Sequence, residues 1–224
     1  MAMNATVLRK CKVFIVDDHQ LFREGLAQLI NREADLEACG ESEEVTGTIE
    51  AIAKAQPDLV IVDISLADGN GIDLIKSIRE HLGNLPILVL SMHDESLYAE
   101  RALRAGANGY VMKQEANKKV KEAIRQVLKG GVYVSEKMSA KMISKFVGGR
   151  PEPVKSPLEL LSQRELEVFQ LLGQGYSTRQ VADEMKLTIP TINSFRARIK
   201  EKLKVNGASE LVLAAIQWMQ NKRT

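Results

Sequence analysis

Five polar side chains stand where apolar stretches of the sequence end, and together they could bind a cation and accept a phosphoryl group. Asp17 and Asp18 close one apolar stretch, Asp63 closes a second, Ser91 closes a third, and Lys113 follows a fourth. If these stretches are parallel strands of one sheet, their carboxyl ends share an edge and the five side chains converge there. Three neighbouring carboxylates repel one another and raise each other's pKa, which a divalent cation relieves. Mg²⁺ suits such oxygen ligands and leaves room for phosphate oxygens.

Asp63 is central in this set and is the candidate nucleophile. An aspartyl carboxylate can attack a phosphoryl donor and form an acyl phosphate. Lys113 would then neutralise phosphoryl oxygens, and the Ser91 hydroxyl would donate a hydrogen bond to one of them. Any one of these residues has a plainer explanation, because Asp residues often cap the helices that follow strands. Helix capping does not explain all five together.

The elements that would position these residues alternate along the first 130 residues. Predicted strands lie at 12–17, 36–40, 58–63, 86–91 and 109–112, and predicted helices at about 19–32, 45–55, 70–82, 95–105 and 117–130. This alternation predicts βαβ units and a parallel sheet covered by helices on both faces. We therefore expect an α/β, flavodoxin-like, doubly wound domain with a five-stranded parallel sheet over residues 10–130.

The composition changes after residue 130. Residues 1–130 contain 16 Lys and Arg against 20 Asp and Glu, whereas residues 131–224 contain 15 against 9. Residues 131–157 are predicted to be a linker with one helix at 136–147, followed by the Pro- and Gly-rich stretch GGRPEPVKSPLE. Residues 158–224 predict an all-α domain of four short helices, with a tight turn near Lys186 and Leu187 that is typical of a helix-turn-helix. The basic excess favours nucleic acid as its partner.

The third of these helices, at about 188–203, has two distinct faces. Ile192, Phe195, Ile199 and Leu203 form an apolar stripe at a period of 3.6 residues. On the other face, Arg and Lys could meet phosphates in a major groove while Asn and Ser meet base edges. The predicted DNA contacts are Thr191, Asn193, Ser194, Arg196, Ala197, Arg198, Lys200 and Lys202. The alternative is the solvated face of an ordinary core helix.

Several stretches of the sequence resemble known families. VFIVDDHQLFREGL, DLVIVDISLADGNGIDL, ILVLSMHDE and GANGYVMK resemble the receiver domain of two-component response regulators. LSQRELEVFQLLGQGYSTRQVADEMKLTIPTINSFRARIKEKL resembles the LuxR-type helix-turn-helix. Nearly the whole chain except the linker therefore resembles the NarL/FixJ class of response regulators.

The resemblance implies a role for each matching position. Asp63 matches the phosphoacceptor, Asp17 and Asp18 match the acidic pair that binds Mg²⁺, and the backbone carbonyl of Ser65 matches the remaining protein ligand. Ser91 and Tyr110 match the hydroxyl and aromatic switch positions, and Lys113 matches the lysine of the pocket. Three positions depart from the common pattern: Gln114 replaces a frequent Pro, and Asn193 and Phe195 replace a frequent Lys and His.

The function that the resemblance implies is a regulator rather than an enzyme. It would be a DNA-binding transcription factor switched by Mg²⁺-dependent phosphorylation of Asp63 by a sensor histidine kinase. Its expected partners are double-stranded DNA and a second copy of the chain, in a phosphorylation-dependent homodimer to which the last helix contributes. His19 and His93 are expected to be helix-start residues at the rim of the site.

Three alternatives stay open at this point. An aspartyl-nucleophile phosphatase usually has a second Asp two residues after the nucleophile, where this chain has Ser65. A silent receiver would leave DNA binding constitutive, and the basic domain could bind a protein instead of DNA.

Two cysteines, Cys11 and Cys39, are too few for a disulfide framework or a structural zinc site. With no secretory signal and no apolar run near the ~20 residues that cross a bilayer, we expect a cytoplasmic protein without a membrane partner.

Overall fold

The computed structural model describes residues 9–147 and 157–221, and they form two compact units that divide after Val147. The strands of the first unit are β1 (Cys11–Val16), β2 (Leu36–Ser42), β3 (Leu59–Val62), β4 (Ile87–Ser91) and β5 (Gly109–Met112). They form one sheet in the order β2-β1-β3-β4-β5, and every pair is parallel. The expected doubly wound, five-stranded sheet is confirmed.

The helices of the first unit lie close to their predicted positions. They are α1 (Gln20–Asn31), α2 (Thr48–Ala55), α3 (Gly71–Leu82), α4 (Glu95–Ala105), α5 (Ala116–Leu128) and α6 (Glu136–Val147). Every residue of β3 and β4 is buried, because helices cover both faces of the sheet. Edge strand β2 is mostly half-buried, and its last residues, Glu41 and Ser42, are polar. The apolar pattern of the sequence therefore predicted a strand that ends two residues too early, at 40.

Two short elements at the carboxyl edge of the sheet were not predicted. A two-residue hairpin pairs Ser65–Leu66 with Gly69–Asn70, and a 3₁₀ turn spans Lys113–Glu115. Neither is long enough to give a periodic sequence signal. The hairpin begins two residues after Asp63, and the 3₁₀ turn begins at Lys113. Each therefore fixes the backbone near a predicted site residue.

The second unit is helical, as expected. A 3₁₀ turn (Pro157–Leu160) precedes α7 (Gln163–Gly173), α8 (Thr178–Glu184), α9 (Ile189–Leu203) and α10 (Ala208–Asn221). A capping box of Ser162 and Glu165 opens α7, and Thr188 caps α9 with Pro in its first turn. The core of this unit includes Leu166, Phe169, Val181, Ile192, Ile199, Leu211 and Ala215.

Three further expectations concern the linker, the cysteines and membrane-spanning helices. The predicted linker helix is α6, which belongs to the first unit, and residues 148–156 of the proline-rich stretch lie outside the described residues. Both cysteines are free and half-buried. Among the described residues, no helix combines the length and the apolar character needed to span a bilayer.

Candidate functional site

The carboxyl edge of the sheet brings Asp17, Asp63 and Lys113 into direct contact. Asp17 follows β1, Asp63 follows β3 and Lys113 follows β5. The Lys113 Nζ atom lies 2.7 Å from Asp17 Oδ2 and 2.6 Å from Asp63 Oδ2, and none of the three side chains is more than 4% exposed. The parallel register pairs Val16 with Val62, so the next residue of each strand carries its carboxylate to the same place. One buried ammonium therefore bridges two buried carboxylates.

The electrostatics of this pocket leave negative charge incompletely balanced. Burial raises the pKa of the Asp63 carboxyl, the charge of Lys113 opposes this, and the neighbouring Asp17 raises it further; the net shift is upward. Lys113 is the cation that contacts both of these carboxylates. A second cation would lower the pKa of Asp63 and keep its carboxylate ionised.

Asp18 adds a third carboxylate to this edge. Its buried Oδ1 atom lies 2.7 Å from His19 Nδ1 as an ion-pair contact and accepts no hydrogen bond. Potential ligand atoms from Asp17, Asp18, His19 and Asp63 all lie within 4.8 Å of one another. Three carboxylates, one of which has a buried oxygen that accepts no hydrogen bond, are a donor set that fits a hard divalent cation such as Mg²⁺.

The backbone around Asp63 is shaped by a glycine. A Cβ atom on Gly71 would lie 1.9 Å from the Asp63 carbonyl oxygen, so only glycine fits there. The Gly71 N–H donates to the Ile64 carbonyl at 2.8 Å, and Asn70 Oδ1 accepts from the Ile72 N–H at 2.8 Å to cap α3. The start of α3 is thereby packed against the backbone of Asp63. The Ser65 N–H lies 3.4 Å from Asp63 Oδ1, and the metal-binding role of the Ser65 carbonyl stays a prediction.

Ser91 and Tyr110 are linked through His93. Ser91 is fully buried at the end of β4 and forms a hydrogen bond that lowers the pKa of Asp63. The His93 N–H donates to Ser91 Oγ at 3.4 Å, and the buried Tyr110 hydroxyl donates to the His93 carbonyl at 2.8 Å. Burial raises the pKa of Tyr110 well above its usual value, which keeps this hydroxyl a donor.

His93 lies two residues before α4, which Asp94 caps, so it is not the helix-start residue that the sequence predicted. Its Nε2 atom lies 2.8 Å from Ser65 Oγ, and its ring stacks on Tyr98 with the centroids 4.3 Å apart. It therefore joins the loop after Asp63 to the loop after Ser91. The sequence gives no signal for this role, because two of the hydrogen bonds of His93 use its backbone.

Arg23 is a second residue that sequence reasoning missed. Its guanidinium is buried, and it donates through Nη1 to the Asp17 carbonyl at 2.5 Å and through Nε to Glu41 at 3.2 Å. It thereby fixes the loop that carries two of the acidic residues. A signal was available, since Arg23 shares the buried face of α1 with Leu26 and Ile30.

The predicted DNA-contacting face of α9 is open to solvent in its middle. Asn193, Ser194, Ala197 and Arg198 are exposed, and Thr191, Arg196, Lys200 and Lys202 are half-buried. On the opposite stripe Ile192 and Ile199 are buried, whereas Phe195 and Leu203 are half-buried. The helix is therefore anchored by two residues of its stripe and presents a polar, basic face.

Two cations of this face also have partners inside the unit. Arg196 donates to the Thr178 hydroxyl at the start of α8, and Lys202 Nζ lies 2.6 Å from the buried Glu165 carboxylate. Burial raises the pKa of Glu165, but hydrogen bonds from Lys202 and Ser162 outweigh this and the net shift is downward. These contacts orient α9, and they give Lys202 a structural role beside its predicted one.

Two family models match the chain. The model for the response regulator receiver domain matches residues 13–125, and the model for bacterial regulatory proteins of the luxR family matches residues 159–215.

Relatives match almost the full length. The transcriptional regulatory protein DegU of Brevibacillus brevis is 29% identical over 93% of this chain and 94% of that protein. The oxygen regulatory protein NreC of Staphylococcus carnosus is 30% identical over 92% and 97%. The structure of RcsB from Salmonella enterica serovar Typhimurium bound to promoter rprA in the presence of phosphomimetic BeF3⁻ is 27% identical, with a TM-score of 0.60 over 91% of this chain and 97% of that chain.

The receiver match spans the pocket of Asp17, Asp63 and Lys113, and the luxR match spans α9 and the start of α10. The chain therefore belongs to the response regulators, as a transcriptional regulator in which a receiver domain is followed by a DNA-binding domain of the LuxR type.

Proposed function

We propose that phosphorylation of Asp63 controls binding of the second unit to DNA, and that a sensor histidine kinase supplies the phosphoryl group. The contact that supports this most strongly is Lys113, which holds the buried carboxylates of Asp17 and Asp63 together. The Asp18 carboxylate beside them, whose buried Oδ1 accepts no hydrogen bond, supports a cation site. A pocket with a buried carboxylate nucleophile, a lysine ammonium beside it and further carboxylate oxygens for a cation is equipped to accept a phosphoryl group.

The transfer step follows from the positions of these groups. An Asp63 carboxylate oxygen attacks the phosphorus, the bond from phosphorus to the kinase histidine nitrogen breaks, and the electron pair stays on that nitrogen. Lys113 leaves Asp63 Oδ2 and pairs with a phosphoryl oxygen. Asp17, Asp18, Asp63 and the Ser65 carbonyl would hold Mg²⁺, whose contribution when bound is to neutralise phosphoryl charge.

The phosphoryl group then changes the partners of the switch residues. The Ser91 hydroxyl turns from Asp63 towards a phosphoryl oxygen, because an oxygen with added negative charge is the stronger acceptor. His93 is bonded to Ser91 and to the Tyr110 hydroxyl, so it shifts with them. Tyr110 is already buried, so its hydroxyl changes partner while its ring stays inside.

DNA binding is assigned to α9 of the second unit. Asn193, Ser194, Ala197 and Arg198 would face base edges, and Thr191, Arg196, Lys200 and Lys202 would lie beside phosphates. A phosphorylation-dependent homodimer would place two such helices on half-sites about one helical turn apart. The RcsB structure bound to a promoter with a phosphomimetic present supports DNA binding in the phosphorylated state. In this proposal the protein acts in the cytoplasm, with its DNA and the kinase.

Duplex affinity measured at one fixed salt concentration tests the proposal, since affinity for DNA depends steeply on salt. The duplex is selected from a random pool with the phosphorylated chain. Acetyl phosphate with Mg²⁺ should raise affinity for it at least ~10-fold in the parent, within the usual range of coupling between two sites. Asp63→Asn should show no gain, whereas Asp73→Asn, an exposed carboxylate of α3, should gain as the parent does. Equal affinity of the parent with and without phosphodonor would refute control by phosphorylation, and a gain in Asp63→Asn equal to that of the parent would refute the choice of residue.

A further inference from the structure

The chain that leaves α5 returns along the outer edge of β5. The Tyr133 N–H donates to the Asn108 carbonyl at 3.0 Å, and the Tyr133 carbonyl accepts from the Tyr110 N–H at 2.7 Å. Gly109 and Tyr133 form a parallel bridge, so this segment adds one pairing to the sheet. Gln126 Nε2 steadies the approach by donating to the Val132 carbonyl at 2.7 Å. The segment therefore binds the backbone of the predicted switch residue Tyr110.

The same segment is fixed to the beginning of α4. The Ser135 N–H donates to Glu95 Oε1, in the first turn of α4, at 2.7 Å. Ser135 Oγ accepts from the Met138 N–H at 3.1 Å at the start of α6, and Met138 is only 3% exposed. Helix α6 packs against α4, and Lys141 Nζ lies 3.4 Å from the Ser96 carbonyl. Residues 131–141 thus touch both β5 and α4, and we name them the strap.

The strap spans the part of the receiver on which phosphorylation would act. The loop from Ser91 to α4 carries His93, whose carbonyl accepts the Tyr110 hydroxyl, and Glu95 begins the helix. The strap holds this region from outside through Glu95 on one side and the Tyr110 backbone on the other. If α4 moves relative to β5, one of these two hydrogen bonds breaks, because a single short segment makes both.

We propose that the strap holds α4 against β5 in the unphosphorylated chain and that phosphorylation of the pocket loosens it. The trigger rests on the function proposed above, whereas the clamp rests on the contacts alone. By reciprocity, a weakened strap favours phosphorylation of Asp63.

Hydrogen exchange of the full chain, read by mass spectrometry, tests the trigger. Intact mass first shows what fraction has gained a phosphoryl group. In the phosphorylated chain we expect amides of α6 and of Tyr110 to exchange at least ~10-fold faster than in the unmodified chain, a typical coupling between sites. Full phosphorylation with unchanged exchange would overturn the strap and leave the proposed function standing. A chain that gains no phosphoryl group would overturn the proposed function and the trigger together.

A pair of variants tests the clamp without any phosphodonor. Met138→Ala removes a buried contact of the strap, and Ile143→Ala removes a side chain of the same helix that is 61% exposed. Met138→Ala should speed exchange at Tyr110 and in the first turn of α4 at least ~10-fold, because a buried truncation is felt by its neighbours. Ile143→Ala should change neither. Equal exchange in the two variants would overturn the clamp, whether or not Asp63 accepts a phosphoryl group.

Discussion

Replacement of Lys113 by methionine isolates the electrostatics of the pocket. Methionine keeps most of the side-chain volume and removes the ammonium that lies 2.7 Å from Asp17 and 2.6 Å from Asp63. Removing one partner of a buried ion pair costs roughly 3–5 kcal/mol, because the charge left behind has lost both water and its partner. Here two carboxylates lose the same cation, so we expect the upper part of that range. For a unit of this size, the loss lowers the melting temperature by roughly 6–20 °C.

Two signals separate the units in this experiment. The single tryptophan, Trp218, lies in α10, so its fluorescence reports unfolding of the second unit. The far-ultraviolet circular dichroism signal reports loss of helix and strand in both units, and so includes unfolding of the receiver. Lys113→Met should lower the stability of the receiver transition and leave the tryptophan transition unchanged. The matched control is Lys121→Met on α5, whose ion pair with Glu33 is partly exposed and should be worth about 0–1 kcal/mol.

Added Mg²⁺ should reverse part of the loss. The variant pocket has one positive charge fewer, so it should bind the cation more tightly than the parent pocket does. At about 100 times its dissociation constant, a bound ligand adds ~2.7 kcal/mol to stability. The reasoning would be refuted if Lys113→Met melted like Lys121→Met, or if Mg²⁺ stabilised the variant no more than the parent.

Three further predictions concern residues that stabilise the two units. Gly71→Ala should destabilise the receiver and slow phosphorylation, since its Cβ would meet the Asp63 carbonyl; Gly25→Ala, with open space around its Cβ, should be neutral or stabilising by ~0.5–1 kcal/mol in thermal melts. Glu165→Gln keeps the capping box but loses the ion pair, costing about 1–2 kcal/mol at pH 7 in urea titrations followed by tryptophan fluorescence. The folded pKa of Glu165 is lowered, so its contribution is present above pH ~4.5 and disappears below it; a pH-independent difference would contradict this. Arg79→Met should cost about 2–4 kcal/mol in the receiver transition, because the guanidinium donates to the carbonyls of Gly83, Leu85 and Gly106.

The residues that sequence predicted best are those whose type and place both carry the signal. Asp17, Asp63 and Lys113 stand directly after strands, and the ends of parallel strands meet regardless of how the loops run. Their convergence therefore follows from the alternation of strands and helices. The contact geometry does not follow, because a sequence pattern cannot tell which carboxylate the lysine binds.

The residues that sequence missed act through their backbone or through a distant backbone. His93 bonds Ser91 and Tyr110 with its own N–H and carbonyl, and Arg23 binds the carbonyl of Asp17. Tyr133 pairs with β5 through N–H and carbonyl groups that every non-proline residue possesses, so its side chain gives no indication of it. Such contacts depend on where the chain passes, and a periodic pattern does not encode that path.

The central claim is that Asp63 accepts the phosphoryl group, and intact mass with peptide mapping tests it most directly. The parent, Asp63→Asn and Asp73→Asn would each be incubated with acetyl phosphate and Mg²⁺. We predict that the parent and Asp73→Asn gain one phosphoryl group on the peptide that contains Asp63, and that Asp63→Asn gains none. A full gain in Asp63→Asn, or no gain in the parent with either acetyl phosphate or a phosphorylated histidine kinase, would contradict the account.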